Sequence, residues 1–126
     1  MRILLALYLF TFFANATSCI ETEEQNAKWD AAYASKFKIN SVLNESTYSI
    51  SVSIPQEIDG QSFNLAGIII GNKNNPVFYS ALKIFEDEGE AKVWFLVKAD
   101  AIEKHSLILS YGDGCGISIN VPVVVN

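Results

Sequence analysis

A chain of 126 residues with fourteen acids against nine bases, net charge −5, one histidine and two cysteines is one domain in size and acidic in balance. Its only arginine is Arg2, so the remaining cations are lysines scattered along the sequence. DNA, RNA and anionic membrane surfaces demand clustered cations and bidentate arginine contacts, and are therefore not expected as partners.

Residues 1–16 read as a cleaved secretory signal. Met1-Arg2 is a minimal basic start, Ile3 to Ala14 is an apolar run broken only by Thr11, and Ala14-Asn15-Ala16 puts small residues at the two positions a signal peptidase reads. A mature anchor would need about 20 apolar residues, and this run is shorter. Thr17 is the expected new N-terminus, residues 17–126 the expected single β-sandwich domain, and the expected location is secreted or periplasmic. Leu65 to Ile70, the densest later apolar stretch, is strand-sized.

Cys19 and Cys115 make an even count in an oxidising compartment, which favours a disulfide. Such a bridge would close almost the whole mature chain, worth about 4–5 kcal/mol if unstrained. The rival expectation is a lipid anchor. Ala16-Thr17-Ser18-Cys19 resembles the lipobox of bacterial lipoproteins, which implies an acylated Cys19, although that pattern prefers Leu where Ala16 stands.

Residues 21–35 lack β-branched side chains apart from Thr22 and open on Glu21, Glu23 and Glu24, which suit the positive end of a helix dipole. Trp29, Tyr33 and Phe37 recur at four-residue spacing, so a short amphipathic helix with an aromatic stripe is predicted. From Lys36 onward the period is two. Phe37, Ile39 and Leu43 fit a first strand, turned by Asn44-Glu45-Ser46, and Tyr48, Ile50, Val52 and Ile54 alternate with Thr47, Ser49, Ser51 and Ser53 in a second. Further strands are predicted over 63–70, 77–85, 91–98, 106–111 and 116–125, punctuated by Asp59-Gly60, Gly71 to Pro76, Glu86 to Glu90, Asp100 to Lys104 and Gly112-Asp113-Gly114. The pattern predicts an all-β fold: a seven-stranded antiparallel sandwich, immunoglobulin-like in architecture, with a short N-terminal helix. The alternative is α+β, with the helix lying on one antiparallel sheet.

Segments 77–85 and 91–98 carry apolar side chains on both faces. Phe78, Leu82, Ile84, Trp94 and Leu96 therefore form a face that needs a cover, either the helix stripe or a partner. Catalytic patterns are absent from the sequence. His105 has Glu103 and Ser106 as sequence neighbours, but no GxSxG, HExxH or P-loop occurs. Glu86, Asp87, Glu88 and Glu90 crowd one turn, a weak Ca²⁺ candidate without the spacing of an EF-hand loop. One histidine and no methionine after Met1 argue against copper, and no cofactor is implied. The glycine-dense run Tyr111 to Gly116 has no helix pattern behind it, as a phosphate cradle requires, and reads as a tight turn delivering Cys115. Asn44-Glu45-Ser46 fits an N-glycosylation acceptor or a plain turn. The functional expectation is an exported, non-enzymatic binding or protein-interaction module. Its rivals are a lipid-tethered envelope component and a small secreted hydrolase using Glu103 and His105.

Overall fold

The computed structural model describes residues 21–72 and 75–125. The expected signal segment, Thr17 and Cys19 lie outside the described residues. Thr22 sets the start of the helix: its extended backbone, and its Oγ1 accepting the Gln25 N–H at 3.1 Å, cap α1 (Glu23–Tyr33). Glu23 and Glu24 then sit in the first turn. The chain tightens into one 3₁₀ turn, Ala34–Lys36, and Phe37 returns to extended backbone.

Nine strands follow among the described residues: β1 (Lys38–Asn44), β2 (Thr47–Ile54), β3 (Glu57–Ile58), β4 (Gln61–Asn72), β5 (Asn75–Ala81), β6 (Ile84–Asp87), β7 (Glu90–Lys98), β8 (His105–Tyr111) and β9 (Ile117–Pro122). They form two antiparallel sheets, one ordered β1-β2-β7-β6 and one ordered β3-β4-β8-β9 with β5 also paired to β4. Two such sheets with a shared core are consistent with a sandwich, and the single-sheet alternative does not hold. Ile50, Val52, Val93 and Phe95 of the first sheet enclose the core with Ala66, Leu107, Leu109 and Ile119 of the second.

The count exceeds the predicted seven for two reasons. A two-residue strand, β3, pairs with the start of β4 across Asp59-Gly60. Both turn residues have positive φ, 49° and 75°, and Glu88-Gly89 between β6 and β7 repeats the device at 51° and 79°. Consecutive positive φ values make the two-residue turn whose twist matches a hairpin, and glycine at the second position adopts it without strain. The other reason is that segment 77–85 is two strands. After the Leu82 N–H bonds the Ala66 carbonyl at 2.9 Å, the chain leaves the second sheet and enters the first as β6. Within this segment only Leu82 and Ile84, at the crossover, pack against the core, while Val77, Phe78, Tyr79 and Phe85 stay exposed.

The aromatic stripe of α1 is structural, but its target differs from the expected one. Trp29 and Tyr33 pack against the core, and Phe37 belongs to it at 7% exposure. The helix lies against β9, the edge strand of the second sheet, and not over Trp94, which is 53% exposed. The Asn120 N–H on β9 donates to Asp30 Oδ1 at 2.8 Å, and the Tyr33 hydroxyl donates to Asp59. An edge strand offers unpaired backbone groups to other chains. Here the helix occupies that edge and takes one of its N–H groups.

Tyr111 fastens the end of the core. It is 1% exposed, its hydroxyl donates to the Pro55 carbonyl at 2.8 Å, and burial pushes its phenol well above the ordinary tyrosine range. The β8–β9 loop turns so tightly that a side chain at Gly116 would collide with the Tyr111 carbonyl. This close approach accounts for Gly116, positive φ values of 80° and 68° account for Gly112 and Gly114, and the loop leaves Cys115 exposed.

Candidate binding face

The first sheet presents its inner positions to the core and its outer positions to solvent. On β2 the buried Ile50, Val52 and Ile54 alternate with Ser49, Ser51 and Ser53; on β7 the buried Val93, Phe95 and Val97 alternate with Lys92, Trp94, Leu96 and Lys98. Register then builds rows across the outer face. Lys38, Ser53 and Lys92 stand side by side, followed by Asn40, Ser51 and Trp94, then Val42, Ser49 and Leu96, then Asn44, Thr47 and Lys98. Val42 is 68% exposed, Leu96 58% and Trp94 53%. Phe85 on β6, opposite Lys92, extends the face at 44% exposure.

Trp94 is held in place. Its indole Nε1–H donates to Ser49 Oγ at 2.7 Å, two residues along β2 from its direct neighbour Ser51. The ring therefore leans across β2 along the sheet instead of standing up from it. Because the polar edge of the indole is already bonded, the part left open to a ligand is the apolar ring face.

Lysines and acids balance on this face, Lys38, Lys92 and Lys98 against Glu45, Asp87 and Glu90. The four rows hold three lysines and no carboxylate. Acids appear only at the ends, as Glu45 in the β1–β2 turn and as Asp87 and Glu90 flanking the β6–β7 turn. Asp87 pairs with Lys92 at 2.7 Å, and that hydrogen bond holds the ammonium above the usual lysine range. Two hollows bracket Trp94. One, of about 350 Å³, is lined by Lys36, Lys38, Ser53, Gln56 and Glu90 among others; the second, of about 430 Å³, is lined by Asn44, Glu45, Thr47, Ser49 and Leu96.

Of the expected interaction face, Trp94 and Leu96 come together here. Phe78 does not join them, because it stands on β5 in the other sheet at 50% exposure. Leu82 and Ile84 are partly buried and pack against the core, so they are no part of an exposed face. The residues that complete it, Asn40 and Val42 on β1 and the converging lysines, were visible in sequence only as ordinary alternation.

The candidate chemistry elsewhere is not assembled by the fold. The Nδ1 of His105 lies 2.8 Å from the Ala101 carbonyl, a contact that requires the proton on that nitrogen. Ser106 follows on the same strand and faces the opposite side, while Glu103 is exposed in the preceding 3₁₀ segment. Glu86, Asp87, Glu88 and Glu90 are exposed along the β6–β7 hairpin, and among the described residues no three His, Cys, Asp or Glu groups gather as a metal would require. Asn44 lies exposed at the β1–β2 turn. No helix among the described residues is long and apolar enough to cross a membrane. Comparison with family models, with curated proteins and with solved structures gives no match.

Proposed function

We propose that this chain is an exported, non-enzymatic binding module that uses the outer face of the β1-β2-β7-β6 sheet. One observation carries the reading: Trp94, Leu96 and Val42 stand more than half exposed in adjacent rows, with the indole fixed by Ser49. An apolar patch of this kind, rimmed by polar residues, marks an interaction surface. The strand order supports an immunoglobulin-like assignment of the sandwich, with four strands β1-β2-β7-β6 facing β5-β4-β8-β9. Export follows from the signal-like residues 1–16.

A Cys19–Cys115 bridge belongs to the same reading. No cysteine is free among the described residues, and Glu21, two residues after Cys19, lines a hollow with Gly112, Gly114 and Gly116 around the loop that carries Cys115.

The test is retention of material from the envelope and medium of the source cells on immobilised protein, comparing wild type with Trp94→Glu. The reading expects retention by wild type and its loss in the variant, with the melting temperature of the variant nearly unchanged. Equal retention by both proteins, or a hydrolytic activity abolished by His105→Ala, would overturn it.

A further inference from the structure

We propose that Asp113-Gly114 is a site of spontaneous backbone modification, where the α-linked aspartate isomerises to β-linked isoaspartate, while the chain's second Asp-Gly pair, Asp59-Gly60, is protected. The inference is independent of the binding-module reading. Its chemistry needs no cofactor and no molecule but water. The Gly114 amide nitrogen attacks the carboxyl carbon of protonated Asp113 and a C–N bond forms. The carboxyl C–OH bond breaks, and the hydroxyl leaves with the amide proton as water, giving a five-membered succinimide. Water then adds back and opens the ring at the former main-chain carbonyl. The side-chain carbon is now in the backbone, so isoaspartate has an unchanged mass and one more main-chain carbon. Glycine permits the attack because, without a Cβ, it neither shields its nitrogen nor resists the rotation required.

Both pairs border one open hollow of about 590 Å³, lined by Gly60, Gln61, Asn64 and Asp113 among others, so they meet the same solvent. The space beside the glycine is open at both sites, so crowding does not separate them. What differs is how each pair is held. Asp59 and Gly60 form the two-residue turn between β3 and β4, with φ of 49° and 75°. Ile58 paired with Gln61, and Glu57 with Ser62, clamp that turn from both strands. The Asp59 carboxylate also accepts the Tyr33 hydroxyl from α1. Closing the ring at Asp59 would break the turn and that hydrogen bond together. Asp113 stands exposed in the β8–β9 loop, outside any strand, and its φ is not left-handed. The loop is anchored just before it, where the Gly112 N–H donates to the Ser62 carbonyl at 2.7 Å and the Gly112 carbonyl accepts from the Asn64 side chain. Among the described residues, neither the Asp113 carboxylate nor the Gly114 N–H is hydrogen-bonded. The two groups that must meet are therefore adjacent, solvated and uncommitted.

Prolonged warm incubation of the full mature protein in neutral buffer, followed by reduction and tryptic mapping, tests the assignment. Cleavage at lysine puts Asp59 in peptide 39–73 and Asp113 in peptide 105–126, so the two are read separately. Electron-transfer fragmentation locates isoaspartate within each peptide, and methylation by a protein isoaspartyl methyltransferase quantifies it. In the folded protein Asp113 should convert at least tenfold faster than Asp59, and in the same protein held unfolded in urea the two should convert at similar rates. Asp113→Glu should remove the signal at position 113 and leave the melting temperature close to wild type, because the larger ring it would require closes far more slowly. Equal or faster conversion at Asp59 in the folded protein would overturn the inference. So would an unconverted Asp113 in the folded protein over a period in which the unfolded protein converts.

Discussion

The two tryptophans of this chain occupy opposite environments, so the same substitution should have opposite consequences. Trp29 is half-buried on α1 and packs against the core, beside the Asp30 and Tyr33 contacts that hold the helix to the domain. Truncating a fully buried aromatic costs about 3–5 kcal/mol, so a half-buried one should cost about 2 kcal/mol. For a domain of this size that is a fall of roughly 6–12 °C in melting temperature. Trp94 points away from the core, and its alanine variant loses one exposed hydrogen bond to Ser49 and a cross-strand pair with Ser51. Exposed cross-strand pairs contribute about 0.2–1 kcal/mol, which predicts a fall of a few degrees at most. Thermal unfolding of Trp29→Ala and Trp94→Ala, both kept oxidised and followed by far-ultraviolet circular dichroism, measures the difference. If Trp94→Ala melts at or below Trp29→Ala, the placement of the helix stripe on the core and away from Trp94 is wrong.

Tyr111→Phe should cost about 1–3 kcal/mol, because it strands the Pro55 carbonyl that the hydroxyl now satisfies, and chemical denaturation would show it. The raised Tyr111 phenol also makes stability fall as pH climbs past the ordinary tyrosine value of about 10, since the unfolded phenol gives up its proton first. An alkaline unfolding curve that moves to higher pH in Tyr111→Phe would support this; an unchanged curve would count against it. Asp30→Ala should accelerate hydrogen exchange at the Asn120 amide, which donates to that carboxylate, while Asp30→Asn keeps an acceptor and should preserve much of the protection. Mass spectrometry of the mature protein should find the two-hydrogen deficit of a Cys19–Cys115 bridge, and acyl mass on Cys19 would replace it with the lipid anchor.

What the sequence made legible follows its local signals. The helix is written in the spacing of Trp29 and Tyr33, Thr22 with its cap shifts the start by only two residues, and Phe37 of the expected stripe lies beyond the helix in extended backbone. β2 is legible because its buried residues alternate with Ser49, Ser51 and Ser53, and β7 because it is a short apolar run flanked by Lys92 and Lys98. The division of 77–85 was hidden: period two describes how a strand alternates, but not which sheet it joins, and the crossover at Leu82-Lys83 carries no glycine or proline to mark it. The helix position was hidden for a related reason. An aromatic stripe demands burial without naming its partner, and the edge of β9 is defined only once β8 and β9 have paired. The face around Trp94 was half visible. Trp94 and Leu96 stand out in sequence, but lysines 38, 92 and 98 look scattered until register places them on one surface.

The central claim is that ligand sits on the outer face of the four-stranded sheet at Trp94. Replacing Trp29 by Phe leaves Trp94 as the only indole of the chain. The most direct measurement is its emission while the fraction retained by the immobilised wild-type protein is titrated in. The account predicts a saturable blue shift and intensity change as the exposed ring is covered. Saturable binding by an independent readout with no change in Trp94 emission would contradict it.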